Sequence, residues 1–553
     1  MGKLKLVFLL FIGLFLLIII RLFYLQVLAG YNSNANGYLS FKRITPQRGM
    51  IFDRNNQPLV LNQSTYRLFV EPKKMSDKRL VIDEIDKVLH IGESTLEARI
   101  DESKDWVSVQ TDLTEEQKNQ ISQDKLNGVG FEDMSHRYYP EASLAAHLLG
   151  FVGKNKEGDD LGYFGIEGYY DKDLAGLSGL LKTERDIFGH PILLGNQENI
   201  QSENGRSLML TIDKSVQKIV KTKLAEGLDK YKAKEGCVIV ADPYTLEILA
   251  MDCLPDFDPD KYYEFDQSFF NNTAISSFYE PGSTFKPFIM SAALNEKKLK
   301  PDDFYDENGA INVGEYKIKT WNDKYEGKIT MTRILEKSSN VGMVYVGQKL
   351  GNENIFNYLK KYGFGQTTGI DLQGESSGYL KPKNQWYSID YATVAFGQGI
   401  AVTPLQMIKA FSSLINGGKL IRPHLVKEID SGDQKRVIEP QVEGTVISET
   451  TSQTIKQMLL STVEHGEYKW SVPKGYKVGG KTGTAQIPVK GHYDSSKTIA
   501  SFIGFAPVSK PRFIAIVVLK EPGTSIYGSE TAAPLFFEIA KELFVYYNIP
   551  PDR

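Results

Sequence analysis

The pattern of apolar and polar positions divides the chain unevenly. Residues 6–20 form an unbroken apolar run, and residues 22–28 extend it past one charge, Arg21. As a helix, the 23 residues from 6 to 28 span about 34 Å, enough to cross a hydrocarbon core about 30 Å thick. Arg21 lies where a long side chain can reach the headgroups. Lys3 and Lys5 precede the run, so the positive-inside rule puts residues 1–5 in the cytoplasm and everything after residue 28 outside. A cleaved signal peptide ending near Val27 and Ala29 is the competing reading. The bulky stretch after Arg21 is longer than a peptidase site requires.

Beyond the span, periods of 2 and 3.6 alternate. Charged helical patterns cover residues 80–90 and 113–125. Asp213 stands where it can cap a helix whose apolar stripe is Val216, Ile219, Val220, Leu224 and Leu228. Residues 238–241 and 248–251 read as a β-hairpin around residues 242–247. Residues 498–506 and 512–519 read as strands, followed by a helix with Leu535, Phe536, Ile539, Leu543 and Phe544 on one side. Strands at both ends of this half, with helices between, predict an α+β domain whose sheet is closed by distant segments. The polar stretch 196–204 separates it from what precedes. The expected division is therefore a tail (1–5), a membrane helix (6–28), a mixed α/β pedestal (29–205) and an α+β domain (206–553).

Composition removes several classes of function. With 65 Lys+Arg against 68 Asp+Glu, the formal charge of −3 carries no footprint for nucleic acid. Two cysteines in 553 residues exclude a disulfide-dense scaffold, and the closest histidines, His136 and His147, lack ligand spacing. No cofactor or metal is implied. If the hairpin turn centres on Thr245, Cys237 faces Cys253 within disulfide range, and an extracytoplasmic location permits oxidation. Cross-strand disulfides are strained, however, so two buried free thiols are the plainer expectation and the bond is the alternative.

Three short sequences occur in order: Ser283-Thr-Phe-Lys286, Ser338-Ser-Asn340 and Lys481-Thr-Gly483. Each alone is weak, since Ser-x-x-Lys recurs at Ser122, Ser215 and Ser471. Context separates the first. Pro281 and Gly282 signal a helix start, Pro287 is tolerable only in a first turn, and an apolar helix follows. Ser283 then lies at the mouth of a buried helix with Lys286 one turn on. Burial and the positive helix end both destabilise an ammonium, which suits a serine activated by a neutral lysine. Residues 478–486 alternate as a strand with Lys481, Gly483 and Ala485 on one face. The glycine admits close approach of a peptide substrate, whose carboxylate Lys481 and the threonine hydroxyls could hold.

With these motifs the chain resembles the class B penicillin-binding proteins, monofunctional D,D-transpeptidases of peptidoglycan synthesis. Arg48-Gly-Met-Ile-Phe-Asp-Arg54 and Gly165-Ile-Glu-Gly-Tyr-Tyr170 are similar to that family's pedestal signatures. Phe396-Gly-Gln-Gly-Ile400 and Phe502-Ile-Gly-Phe-Ala-Pro507 are similar to its transpeptidase domain. Tyr279-Glu-Pro-Gly-Ser283 and Ser338-Ser-Asn-Val-Gly342 resemble division-type and sporulation-type members more than elongation-type ones. Asn56 and Leu246 stand where the family usually has glycine.

The resemblance implies a penicillin-binding, β-lactamase-like domain: an antiparallel sheet flanked by helices, plus an all-helical subdomain. It implies that Ser283 attacks the D-Ala–D-Ala carbonyl while Lys286 takes its proton, that Ser338 relays a proton to the leaving D-Ala, and that Asn340 orients Lys286. The backbone of Ser283 and Thr484 forms the oxyanion hole, and Lys481, Thr482, Gly483 and Thr484 hold the substrate. Stem peptides and β-lactams are the implied ligands, and a SEDS-type glycan polymerase and division proteins the implied partners at the cell membrane. A septal role is expected, with elongation or spore synthesis as alternatives. A β-lactam hydrolase or D,D-carboxypeptidase and a non-catalytic scaffold are the competing classes.

Overall fold

A computed structural model describes residues 2–24, 39–156, 158–184, 197–489 and 492–552. The chain forms two compact units that are not contiguous in sequence: residues 1–48 with 175–205, and residues 49–174 with 206–553. The segment 29–205 therefore contributes to both. The first unit contains the apolar helix Gly2–Phe23, whose stretch Lys5–Phe23 is long and apolar enough to cross a membrane and has its side chains exposed. Residues 25–28 of the expected span lie outside the described residues. It also contains a three-stranded antiparallel sheet with Gly179–Glu184 between Leu39–Ile44 and Gln197–Ile200. The stretch read as a polar separator thus supplies a strand from its residues 197–200, Asn196 lying outside the described residues.

The second unit is built on two larger sheets. One is seven-stranded and threads Ser207–Leu210 between Val426–Asp430 and Ile51–Phe52, with Pro58–Val70, Val107–Leu113 and Val129–Tyr138 continuing it. Residues on both sides of position 205 share this sheet, which is why they pack as one body. Charged pairs reinforce it. Arg137 donates from Nε to Glu167 at 2.7 Å with both side chains buried, and Tyr170 donates to the buried carboxylate of Asp371, which also accepts the backbone N–H groups of Leu425 and Val426.

The other sheet is antiparallel and carries the Lys481-Thr-Gly483 motif. It comprises β1 (Glu235–Ala241), β2 (Ile248–Leu254), β3 (Gly479–Val489), β4 (His492–Ala506) and β5 (Phe513–Lys520), in the spatial order β2-β1-β5-β4-β3. β1 pairs with β5, 273 to 285 positions away in the chain, so distant segments close the sheet as the strand–helix–strand pattern predicted. Alternation sorts its side chains onto two cores. Val238, Val240, Phe502, Val517 and Leu519 pack under helices α1 (Lys214–Tyr231) and α2 (Ala532–Tyr546). Ile239, Met251, Ile503, Phe505 and Ile516 face the helical side. Each such side chain contributes roughly 1.5–3 kcal/mol on burial. Asp213 caps α1, its carboxylate accepting the N–H groups of Ser215 and Val216.

The hairpin turn has the expected register: Cys237 opposes Cys253, their Cα atoms 4.2 Å apart, and their sulfurs are bonded. The plainer expectation of two free thiols is thereby corrected. Leu246 sits at φ +54, and Asn56 at φ +61, so both positions where glycine was missed do adopt the left-handed backbone that glycine would take without steric cost.

Candidate active site

The helix that carries the first motif starts where its sequence says it should. Gly282–Phe285 form a 3₁₀ turn, and a helix over Lys286–Asn295 follows with Pro287 in its first turn, where the missing N–H costs nothing. Gly282 adopts φ +55 and donates its N–H to the Gly397 carbonyl at 3.0 Å. The Phe396–Ile400 motif therefore serves as a brace for this turn, and Gly399 adds an N–H to the Glu280 carboxylate at 2.9 Å.

Lys286 is fully buried. Its Nζ donates to the Ser338 carbonyl at 2.5 Å, the Ser338 hydroxyl at 3.1 Å and Asn340 Oδ1 at 2.8 Å. Burial holds its amine well below the ordinary lysine range. The positive charge of Lys481 pushes the same way, and the Glu307 carboxylate opposes both. The Ser338 loop precedes a helix over Asn340–Leu350 that is capped by the Ser339 hydroxyl, which accepts the Gly342 N–H at 2.9 Å. Ser338 itself sits at φ +59.

β3 is the edge strand of its sheet. Its burial alternates as predicted, with Lys481, Gly483 and Ala485 on the buried side and Thr482 and Thr484 on the other. A cleft of ≈ 490 Å³ is bordered by Ser283, Ser338, Asn340, Lys481, Thr482 and Thr484. Lys286 reaches that group from behind. Gly483 does not face the cleft. A methyl group added there would lie 2.9 Å from the Pro281 carbonyl and 2.5 Å from the Ser501 hydroxyl, so the close approach that this glycine permits is by the serine turn, not by a ligand.

Sequence reasoning missed several groups here. Trp321 and Tyr527 both border the cleft and stand edge to face with ring centroids 5.8 Å apart. Glu307 and Lys337 form a buried ion pair beneath the Ser338 loop. Lone aromatic and charged residues carry no local signal for such placement.

Lys481 is 2% exposed, and its nearest acceptors, the Thr482 carbonyl and hydroxyl, are 3.3 and 3.4 Å away. Burial pushes it down to about 7, with the Glu467 carboxylate pulling the other way. From about 7 up to its ordinary 10.5, the unfolded chain holds the proton that the folded one has released. Stability therefore rises with pH across that window, by an amount on the order of a few kcal/mol. Denaturant midpoints measured across the window show this slope in the wild type. Lys481→Met removes this contribution and leaves those of the other shifted groups: Lys286 and Lys456, lowered by burial, act in the same direction, and His136, held up to about 9 by Asp112 and Asp260, acts in the opposite one.

A hydroxyl, a buried amine and a second amine on a neighbouring edge strand, converging on one cleft, are what serine-based acyl transfer needs. Comparison with known proteins agrees. Residues 236–541 match the penicillin-binding protein transpeptidase domain, and residues 43–210 match the penicillin-binding protein dimerisation domain. The chain belongs to this family, and within it to the class B D,D-transpeptidases of peptidoglycan. It is similar to Stage V sporulation protein D of Bacillus subtilis (strain 168), with 36% identity over 99% of this chain and 86% of that protein. It is also similar to peptidoglycan D,D-transpeptidase FtsI of Escherichia coli (strain K12), with 29% identity over 93% of this chain and 86% of the relative. Among solved structures, penicillin-binding protein 2X from Streptococcus thermophilus matches with a TM-score of 0.79 at 25% identity, covering 92% of this chain and 80% of that one. Penicillin-binding protein 3 of Mycobacterium tuberculosis matches at 0.72 and 26%, covering 93% and 98%.

Proposed function

We propose that the chain cross-links stem peptides through an acyl-enzyme on Ser283. The observation that carries this reading is the fully buried Lys286, whose Nζ is held by Ser338 and Asn340 beside the cleft that Ser283 borders. With its amine kept neutral by burial, Lys286 removes the Ser283 proton as Oγ attacks the D-Ala–D-Ala carbonyl. The N–H groups of Ser283 and Thr484 receive the oxyanion, an interaction worth roughly 3–4 kcal/mol per donor where one has been removed elsewhere. Ser338 passes the proton to the departing D-Ala amine. Lys481, Thr482 and Thr484 bind the terminal carboxylate, and the arriving anion favours the charged form of Lys481. An amine of a second stem peptide then takes the acyl group and restores the serine.

β-Lactams acylate the same hydroxyl in this reading, and a relative of the same fold has been solved in complex with aztreonam. The apolar helix anchors the protein in the cytoplasmic membrane, residues 1–5 inside and the body outside, where a SEDS-type glycan polymerase and division proteins are its partners. The domain division at 28/29 and 205/206 belongs to the same reading. Fluorescent penicillin followed by peptide mass mapping tests the chemistry: a single adduct on the peptide containing Ser283 is expected.

The wall served is septal in the first reading. The 36% identity with a sporulation protein favours a second, synthesis of the spore wall. A fluorescently tagged copy followed through division and sporulation separates them: midcell bands in dividing cells support the septal role, and signal confined to sporulating cells supports the other.

A further inference from the structure

The acyl-transfer reading leaves one charged group beside the base without a task. Glu307 closes the strand Phe304–Glu307, and its side chain has no exposure. Its carboxylate accepts a hydrogen bond from the Ser339 hydroxyl, pairs with Lys337 Nζ at 2.5 Å and accepts the Glu326 N–H at 3.3 Å. Lys337 is itself largely buried, its side chain 9% exposed. The two residues that Glu307 grips, 337 and 339, flank Ser338.

That placement matters because Ser338 has a backbone that most residues avoid. A non-glycine residue at φ +59 costs about 1–2 kcal/mol and persists only where its surroundings hold it. In that conformation the Ser338 carbonyl and hydroxyl both face Lys286 Nζ. The Ser339 hydroxyl, donating to Glu307 and accepting from Gly342, also sets the first helical turn, and with it the position of Asn340. One carboxylate thus stands behind all three oxygens that surround the lysine amine, any two of which its N–H groups can reach while the lone pair stays free. Burying a charge is expensive even when it is paired, and apolar packing could close such a loop at lower cost.

We propose that Glu307 is a positioning residue for acylation, holding Ser338 and Asn340 against Lys286 through Lys337 and Ser339 and placing a negative charge behind the base. The inference rests on Ser283 as nucleophile and Lys286 as base. The charged groups that bear on Lys286 are Lys481 from β3 and Glu307 itself. Lys337 partly balances Glu307, and the pair Arg333–Glu326 lies beside Lys337. Loss of the Glu307 charge leaves Lys481 and burial unopposed, so Lys286 loses its proton at lower pH.

The test measures the acylation constant and the pre-covalent dissociation constant with fluorescent penicillin, across pH, on the full chain. In Glu307→Gln the acylation constant falls about tenfold, the dissociation constant changes by less than about threefold, and the acidic limb moves down by about half a pH unit or more. Glu307→Asp, which restores the charge, returns the limb towards the wild-type position. Ser339→Ala keeps the charge and loses both the grip of Glu307 and the cap on the Gly342 N–H, so its acylation constant falls while the limb stays in place. A folded Glu307→Gln with wild-type acylation and an unmoved limb overturns the proposal. If that variant is not recovered folded, Ser339→Ala decides: wild-type acylation overturns the proposal and slowed acylation supports it. A wild type that takes no label on Ser283 refutes the nucleophile assignment, whereas a labelled wild type with indifferent variants refutes this inference alone.

Discussion

Ser283→Ala takes no covalent label from fluorescent penicillin, and its thermal transition stays where the wild type's is. The oxygen that forms the ester is gone, and in a serine hydrolase with a comparable nucleophile such a loss lowered turnover on the order of a millionfold. Folding has little stake in this atom. Ser283 is half-buried at the rim of the cleft, within a turn held by Gly282 and Gly397, and among the described residues its hydroxyl makes no hydrogen bond. Substitutions at such positions usually fall within about 0.5 kcal/mol of neutral. Binding through Lys481, Thr482 and Thr484 remains, so the variant still competes for penicillin without being acylated by it. Label on Ser338 or elsewhere in the variant, as intense as in the wild type, would contradict the assignment.

Lys286→Met lowers the acylation constant by about 10²–10⁴, the range that a positioned general base supplies. Methionine has similar length, so the cavity stays filled. The Ser338 carbonyl and Asn340 Oδ1 lose their donor, at a cost of about 1–3 kcal/mol each, offset in part because a buried amine no longer has to be desolvated. The pH profile separates base from filler. The wild-type rate falls as pH drops through the lowered pKa of Lys286, since the protonated amine cannot accept a proton, and the Lys286→Met rate is flat across that limb. Lys286→Arg sharpens the test, because a guanidinium stays charged at every accessible pH and cannot act as the base. Acylation of the Lys286→Arg variant at the wild-type rate would remove the lysine from the mechanism.

Local order was legible along the chain, and its reasons are local. Helix α1 announces itself through Asp213 and a 3.6-residue stripe, β3 through strict alternation, and the serine helix through Pro281, Gly282 and Pro287, because each signal depends on neighbours within a few residues. The order of the three short motifs carried the chemistry, since the reaction needs those residue types. Even the facing of Cys237 and Cys253 followed from counting across one hairpin. Whether their sulfurs bond did not, because that depends on strand twist and side-chain angle.

Other features required the folded chain. That Ser207–Leu210 lies between a strand from residues 51–52 and one from 426–430 depends on register with partners 157 (Leu208–Ile51) and 223 (Ser207–Asp430) positions away, for which no local pattern exists. Gly483 reads equally well as an opening for a ligand or for the protein's own backbone; only the position of Pro281 shows that the serine turn fills the space. Glu307 and Lys337 look like two solvated charges among many until folding removes water from both and sets them beneath the Ser338 loop. Periodicity is written in the spacing of neighbours, whereas the burial that changes what a charge can do arises only when distant segments meet.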